Sequence, residues 1–395
     1  MKGVIFIMAS NRSRSGAYAL MLYGSFAIGC LVLAANTSLK SMIAEFGWTD
    51  AQGGLLISCM SIGCLVSGLF TGAISQRFTR KKVMLVYGLL LFFSFGLETL
   101  LGTPALFYLL MVLAGCFWGG VNNIVNSATA ELYEGSTAKL NLLGVTYGVG
   151  AVLVPLVISA LLLAGVSWRV SFAFVALLGL GFAVLSLFIP VPEPMSSTPS
   201  GEHVSFWKEL PFYIGLVLLF CYVGVETAAA AWIPSYLSQV DPFFQHVPSE
   251  TMVSLLWLML IVGRTFLSIF AGKFDCRKLL IMLASGFLLG MLGLVAFAGC
   301  TPMLILSVAF MGLGMSGLYG TCVANTNRYI SFSPMGSGLL FSMSGLGGAA
   351  IPYLAGLVSD HSGIRAGMGS LCVFLAILLV FAVLNLVVSR KKAAA

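Results

Sequence analysis

Twelve long apolar runs constrain the fold of this chain more than any other feature of its sequence. A helix of about twenty apolar residues crosses the hydrocarbon core of a bilayer, and short polar connections separate the runs. They lie at residues 17–39, 53–75, 83–101, 105–130, 140–163, 170–190, 210–237, 251–271, 279–298, 303–325, 336–358 and 367–388. Only 8% of the residues are charged, against about a quarter in a soluble domain. The sequence therefore predicts an all-α membrane protein with twelve transmembrane helices.

The basic residues predict how the chain is oriented in the membrane. With a cytoplasmic N-terminus, sixteen of the 20 Lys and Arg fall on the cytoplasmic side. Lys40, Arg169 and Arg365 fall on the other side, and Arg264 lies within a run. Such a bias is typical of multi-pass proteins of the plasma membrane. We expect a bacterial inner-membrane protein with both termini in the cytoplasm, whose excess of positive charge faces anionic lipid headgroups and not nucleic acid.

One pattern of two glycines and a proline occurs twice, half a chain apart. The spacing G-x-G-x4-P is found at Gly148, Gly150 and Pro155, and 197 residues later at Gly345, Gly347 and Pro352. Glycines on neighbouring turns let another helix approach closely. A proline inside a helix frees a backbone carbonyl that hydrocarbon cannot satisfy. Both helices are therefore predicted to line an interface or a cavity.

Two further pairs of glycines repeat at nearly the same offset. Gly63 and Gly72 match Gly263 and Gly272, while Gly115 and Gly120 match Gly312 and Gly317. Repeats of this length indicate an internal duplication, which is typical of six-plus-six transporters. We expect two six-helix halves, residues 1–190 and 209–395, joined by a hydrophilic cytoplasmic linker at 191–208. A midplane cavity is expected between them, lined by runs 1, 4, 5, 7, 10 and 11.

Two charged residues lie well inside apolar runs, while Glu98 lies near the outer end of the third run. Glu226 is the more central and is followed by four consecutive alanines after Thr227. A charged side chain at the bilayer centre costs about 2.5–3.5 kcal/mol on insertion scales, so it must be paired or face water. Glu226 either contacts a substrate or coupling ion or belongs to a structural ion pair. Arg264 is a candidate counter-charge, although it could instead extend towards the cytoplasmic face or pair with Asp275.

The fourth run carries a cluster of polar side chains on one helix face. Trp118, Asn122 and Asn126 are spaced i, i+4, i+8, and therefore share a face. Amides offer donors and acceptors, and an indole offers a flat apolar surface. Together they suit a neutral polyhydroxylated ligand, with a hydrogen-bonded seam between helices as the alternative. Asn36 and Asn325 are similar candidates in runs 1 and 10.

No pattern of enzymatic residues is present in the sequence. It contains no phosphate-binding loop, no spacing of a catalytic triad and no paired cysteines at the spacing of a metal site. We therefore predict that the protein is not an enzyme and needs neither a cofactor nor a metal ion.

The turn after the second run resembles the signature of the major facilitator superfamily, G-x3-D-[RK]-x-G-[RK]-[RK]. The matching positions are Gly72, Gln76, Arg77, Arg80 and Lys81, and the segment Trp168-Arg169-x-x-Phe172 resembles another frequent motif of that superfamily. Two positions depart from the signature, because Gln76 replaces its Asp and Thr79 its second Gly. The resemblance implies the twelve-helix fold and a conformational role for this turn, with a weaker charge contact at Gln76.

A finer resemblance is to the fucose–galactose–glucose symporter branch. It rests on Leu140–Pro155, on Tyr222–Leu237 with Glu226 and Trp232, and on Gly263-Arg264. Members of this branch often carry proton-coupling carboxylates at the positions of Asn36 and Asn122. An amide cannot take up and release a proton at neutral pH. The resemblance therefore implies either that coupling has moved to Glu226 or that transport depends on sodium or runs without a coupling ion.

The hypothesis that follows is a monomeric secondary or facilitative transporter of a small polar solute, with a sugar as the favoured substrate. It would work by alternating access, with a proton or sodium as the candidate coupling ion. The residues expected to bind substrate are Asn36, Trp118, Asn122, Asn126, Glu226, Trp232 and Asn325, and those expected to couple the ion are Glu226 and Arg264. The alternatives are an exporter of drugs or amphipathic metabolites and a membrane sensor or scaffold without transport activity.

Overall fold

The protein is a bundle of membrane-length helices. A computed structural model describes residues 2–100, 104–133, 137–191, 207, 209–270, 275–330 and 334–394. These residues form helices and contain no β-strand. The helices are α1 Lys2–Phe46, α2 Asp50–Arg77, α3 Arg80–Glu98, α4 Pro104–Leu132, α5 Thr137–Leu163, α6 Arg169–Phe188, α7 Leu210–Val240, α8 Phe243–His246, α9 Thr251–Phe270, α10 Cys276–Ala296, α11 Thr301–Met315, α12 Leu318–Ile330, α13 Pro334–Ser362 and α14 Ile364–Ala394.

The number of spans agrees closely with the sequence expectation. In the described ranges, ten segments are long and apolar enough to cross a membrane, one of them comprising α11 and α12 together. The shorter apolar helix Thr251–Leu267 lies within α9. The 19-residue α3 begins with three basic residues, Arg80 to Lys82. The prediction of an all-α membrane protein is confirmed, while the count of twelve depends on including α3 and α9.

The tenth predicted span is not one continuous helix, which corrects the sequence expectation for 303–325. Two turn residues, Ser316 and Gly317, separate α11 from α12, although Ser316 itself keeps right-handed helical dihedral angles. The Tyr222 hydroxyl donates to the Met315 carbonyl at 3.3 Å, and Arg264 Nε donates to the Ser316 carbonyl at 3.1 Å. Because a bilayer cannot solvate such carbonyls, these two side chains stabilise the break.

The repeated glycines make equivalent contacts in the two halves of the fold. A Cβ at Gly148 of α5 would lie 2.9 Å from Ile261 of α9, and one at Gly345 of α13 would lie 2.8 Å from Leu65 of α2. In each case the contact joins the fifth span of one half to the second span of the other. The fold therefore has the pseudo-twofold arrangement that a duplicated chain predicts.

The second glycine of each motif faces the first span of its own half. A Cβ at Gly150 would lie 2.8 Å from the Phe26 carbonyl of α1, and one at Gly347 would clash with the Phe220 carbonyl of α7. Pro155 and Pro352 lie inside α5 and α13. The predicted linker 191–208 falls almost wholly outside the described residues, so the boundary between the halves stays a prediction.

Candidate functional site

A cavity of about 610 Å³ lies between the two halves of the bundle. Its walls come from α1, α4, α5, α7, α12 and α13, which contain residues of the six runs predicted to line a cavity. Two further helices, α2 and α9, also contribute. Its polar lining residues are Ser25, Asn36, Ser61, Asn122, Asn126, Glu226, Thr227, Arg264 and Ser344, and its aromatic ones are Trp118, Tyr147, Trp257, Tyr319 and Phe341. The structure thus brings most of the hydrophilic side chains singled out in the sequence to one place.

The polar face of α4 lies along one wall of this cavity. Trp118, Asn122 and Asn126 all line it. Asn126 Nδ2 donates to the Asn122 carbonyl at 2.8 Å and to Asn122 Oδ1 at 3.2 Å. The neighbouring Asn123 points away and donates to the Gly68 carbonyl at 3.2 Å in the seam with α2. In the described part of the chain the amides at 122 and 126 bond to each other and not to another helix, which leaves part of their hydrogen-bonding capacity to a solute.

Glu226 and Arg264 line the same cavity from α7 and α9. Among the described residues they do not form an ion pair with each other, and Arg264 is fixed by its bond to Ser316. The alternative partner, Asp275, instead accepts hydrogen bonds from the backbone amides of Arg277 and Lys278 at 2.8 and 3.3 Å. These bonds, above all the one from Arg277, hold the pKa of the Asp275 carboxyl below its usual value. Asp275 is therefore a helix cap for α10, and its expected contact with Arg264 is not made.

Two predicted ligand contacts lie away from the cavity, which corrects the sequence expectation for them. Trp232 is 1% exposed, and its Nε1 donates to the Pro352 carbonyl at 3.2 Å. Asn325 is buried, and its Nδ2 donates to Asn385 Oδ1 of α14 at 3.2 Å. Both side chains join helices within the second half, so neither is retained as a ligand contact.

Several residues that line the cavity are not among the ligand contacts predicted from the sequence. Ser61 and Trp257 are both in the cavity wall, and so are Tyr147 and Tyr319. For Trp257 a signal was present, since it lies seven residues before Arg264 and therefore shares its helix face. Ser61 gave no comparable signal, because a serine in an apolar helix more often bonds to its own backbone.

Contacts between the halves close one end of the cavity, here called the sealed end. Lys40 of α1 pairs with Glu250, just before α9, at 3.6 Å, and its Nζ donates to Ser249 Oγ at 3.1 Å. Asp360 of α13 accepts hydrogen bonds from the backbone amides of Asp50 and Ala51 at 2.7 and 3.0 Å. A carboxylate from one half thus caps the first turn of a helix in the other, where the helix dipole favours negative charge.

At the opposite end, here called the open end, the described residues form no ion pair between the two halves. A Cβ added at Gly144, which lines the cavity, would meet no described atom within 4 Å. The side chains of Asn126 and Arg264, which lie towards this end, are exposed although both line the cavity. The cavity is therefore reached from the open end in this conformation.

The basic turn between α2 and α3 contains one strong ion pair. Arg80 is 2% exposed and binds Glu131 of α4 through both terminal nitrogens, at 2.7 and 3.0 Å. Arg77 and Lys81 are exposed, while the side chains at positions 72 and 76 lie outside the described part. Of the expected charge contacts in this turn, the one made by Arg80 is present and holds α3 to α4 within the first half.

The family of the chain follows from comparison with known proteins. The family model described as Major Facilitator Superfamily matches residues 18–330 and 244–395. The chain therefore belongs to the major facilitator superfamily, a family of membrane transporters and not of enzymes.

Individual relatives are distant and cover nearly the whole chain. A hexuronate transporter of Bacillus subtilis is 25% identical over 384 residues, covering 86% of this chain and 88% of its own. A glucose/mannose transporter of the same organism, GlcP, is 21% identical, covering 90% of each. The crystal structure of a point mutant of the nucleoside transporter NupG superposes with a TM-score of 0.78 at 14% identity, covering 94% of this chain and 99% of that one. The similarity to NupG shows a shared fold.

Proposed function

We propose that the protein transports a small polyhydroxylated solute, in the first place a sugar, by alternating access. The observation that carries the proposal is the chemistry of the central cavity. Amide, hydroxyl and carboxyl groups from both halves converge there with two indole rings. Sugars offer hydroxyls to such groups and flat C–H faces to aromatic rings.

The relatives favour the same class of substrate. One is named as a transporter of hexuronates and another as a transporter of glucose and mannose. Both kinds of compound are six-carbon molecules rich in hydroxyl groups. At identities near a quarter or less, these names support a class of solute for this chain and do not select one member of it.

Coupling to an ion is assigned to Glu226, with Arg264 as its electrostatic partner. Glu226 is the carboxylate in the cavity lining, and the first-half positions where related symporters carry acids hold Asn36 and Asn122. With Arg264 bonded to Ser316, the Glu226 carboxylate faces the cavity without an ion pair and can exchange a proton or a sodium ion with it. The proposal therefore places coupling, where it occurs, in the second half.

With the orientation predicted from the basic residues, the open end faces the cytoplasm. The contacts at Lys40 and Asp360 would then close the external side. Alternating access requires these contacts to break while the open end closes. The two halves would rotate about the cavity, with α2 sliding on α13 and α5 on α9.

Uptake of radiolabelled D-glucose, D-mannose and D-glucuronate into proteoliposomes tests this function. Uptake above that of empty liposomes supports it, and imposed proton and sodium gradients identify the coupling ion. We expect Glu226→Gln to abolish any stimulation by the gradient. If the variant keeps both uptake and its gradient dependence, the assignment of coupling to Glu226 is wrong.

Export of amphipathic compounds is the second candidate. Five aromatic side chains line the cavity, and aromatic walls adapt to varied apolar ligands. The nine polar side chains of the same lining favour the sugar. A panel of lipophilic cations, with ethidium as the first probe, separates the two functions, because an exporter would transport them and a sugar transporter would not.

A further inference from the structure

Among the residues that the structure describes, three side chains of the cavity lining carry buried polar atoms without a hydrogen-bond partner. They are Asn36 Oδ1 of α1, Ser61 Oγ of α2 and Trp257 Nε1 of α9. The three residues are 1%, 2% and 4% exposed. Leaving such groups unpaired costs about 1–3 kcal/mol each, and native structures keep few of them without a reason.

Asn36 and Trp257 lie just below the sealed end of the cavity, and Ser61 lies about three turns from the start of α2. Asn36 lies one helical turn from Lys40, and Trp257 lies about two turns from Glu250, whose ion pair closes that end. Trp257 packs against Tyr147 of α5, with ring centroids 5.6 Å apart. Although they border the cavity, the three atoms are almost fully shielded from solvent in the present conformation.

From this geometry we infer that Asn36, Ser61 and Trp257 form a substrate subsite that a sugar occupies as the transporter leaves the present conformation. The inference rests on the proposed function and adds to it the groups that select the solute. Trp257 offers a donor, Asn36 an acceptor and Ser61 either one, a set that hydroxyls on different sides of a pyranose ring can satisfy. The indole ring also presents an apolar face to the C–H groups of the sugar.

Because these three atoms are shielded, a sugar that binds them would favour a different conformation. A ligand shifts a conformational equilibrium only by the difference between its affinities for the two states. A sugar that reaches the three atoms only after side chains below the sealed end have moved binds the moved state more tightly. The subsite therefore links recognition of hydroxyl groups to the conformational change itself.

The chain offers matched controls for testing this subsite. Trp48 Nε1 is also buried without a partner, but its ring packs with Phe46 and Phe107 away from the cavity. Ser75 Oγ is likewise unpaired and lies on α2, as Ser61 does, yet does not line the cavity. Trp48→Phe and Ser75→Ala therefore make the same chemical changes as Trp257→Phe and Ser61→Ala outside the subsite.

The experiment measures apparent KM in proteoliposomes for D-glucose, D-mannose and D-glucuronate. For the sugar with the highest uptake we expect Trp257→Phe and Ser61→Ala each to raise KM about fivefold to tenfold, the loss of one hydrogen bond. Trp48→Phe and Ser75→Ala should leave KM unchanged. Because Trp257→Phe removes an unpaired donor and keeps an aromatic ring, the melting temperature of the ligand-free protein should not fall.

A series of monodeoxy analogues of that sugar identifies the partner of each group. Trp257→Phe should not raise KM for the one analogue that lacks the hydroxyl bound by the indole N–H. Ser61→Ala should leave KM unchanged for a different analogue. The inference is overturned if sugar is taken up with equal KM by the Trp257→Phe and Trp48→Phe variants. It is also overturned if Trp257→Phe raises KM by the same factor for every analogue. Either result leaves the proposed function standing. Absence of uptake of all three sugars overturns both.

Discussion

At the scale of single residues, two hydrogen-bonded pairs of asparagine side chains have different surroundings. Asn122 and Asn126 bond to each other along one helix and line the cavity. Asn325 and Asn385 bond across two helices and are buried in the second half. The sequence presents all four as polar residues in apolar runs, and only the direction of each side chain separates a ligand contact from a packing contact.

The amide pair of α12 and α14 should behave as a structural unit. Asn325→Leu leaves Asn385 buried without a partner, so we expect a loss of about 1–3 kcal/mol of stability. The Asn325→Leu/Asn385→Leu double variant should recover most of this loss, because both polar groups are then absent. Melting temperatures of the parent, the two single variants and the double variant, measured in detergent, complete the double-mutant cycle. A KM defect in the double variant would make Asn325 a candidate ligand contact again.

The ion pair of the basic turn should contribute measurably to stability. Arg80 is almost fully buried and Glu131 is about one-fifth exposed at the side chain. Removing one partner of a buried pair leaves a poorly solvated charge, so we expect Glu131→Ala to cost about 2 kcal/mol. The apparent melting temperature measures the loss. Lys81→Ala, which changes an exposed neighbour, should stay within about 0.5 kcal/mol of the parent protein.

At the scale of helices, α5 and α13 are the elements on which the halves meet. Each uses its first glycine to touch the opposite half and its second to touch its own. At Gly150 and Gly347 the neighbouring backbone itself comes so close that a side chain would separate the two helices, whereas Gly148 and Gly345 face the side-chain ends of Ile261 and Leu65. The paired contacts explain why the same spacing occurs in both halves of the sequence.

Two glycines of α13 should respond to the same substitution in opposite ways. A Cβ at Gly347 would meet the backbone of Phe220, which cannot move aside, whereas one at Gly338 would meet open space. We expect Gly347→Ala to destabilise the protein by about 1–3 kcal/mol. Gly338→Ala should be neutral or gain up to about 1 kcal/mol from helix propensity. Melting temperatures of the two variants compare them directly, and equal values would contradict the proposed packing of α13 on α7.

The sequence predicted elements better than it predicted side-chain directions. Apolar runs and repeated glycines indicated the helices and the duplication, because bilayer thickness and close packing restrict residue types strongly. The i, i+4, i+8 spacing of α4 indicated one wall of the cavity correctly. Trp232 and Asn325 were misjudged and Ser61 was missed, because a polar residue in a span can face either a cavity or a neighbouring helix. That choice depends on the rotation of each helix within the bundle.

At the scale of the whole molecule, the two ends of the cavity are held differently. At the sealed end, Asp360 caps the first turn of α2 and Lys40 pairs with Glu250. Both contacts join the two halves and both involve charged groups, so together they favour the conformation that is closed at this end. Charge-assisted bonds of this kind contribute about 1.5–3 kcal/mol each.

Loss of the Asp360 carboxylate should shift the protein towards a state open at the sealed end. Asp360→Ala removes both bonds to the backbone amides of Asp50 and Ala51, and we expect the equilibrium to move at least tenfold, which corresponds to about 1.4 kcal/mol. Hydrogen exchange of the peptide containing these two amides should accelerate. His361→Ala, an exposed neighbour, should exchange like the parent protein. Unchanged protection in Asp360→Ala would show that the other contacts suffice to keep this end closed.

The interruption at Ser316 and Gly317 gives the two copies of the duplicated unit unequal mechanics. In the first copy the corresponding helix, α4, continues unbroken to Leu132, whereas α11 and α12 form two shorter rods joined at a point. Tyr222 and Arg264 anchor that joint, and Glu226 lies one turn along α7 from Tyr222. A change of charge at Glu226 therefore acts beside the joint. We therefore expect the second copy to bend at this joint more readily than the first copy bends at α4.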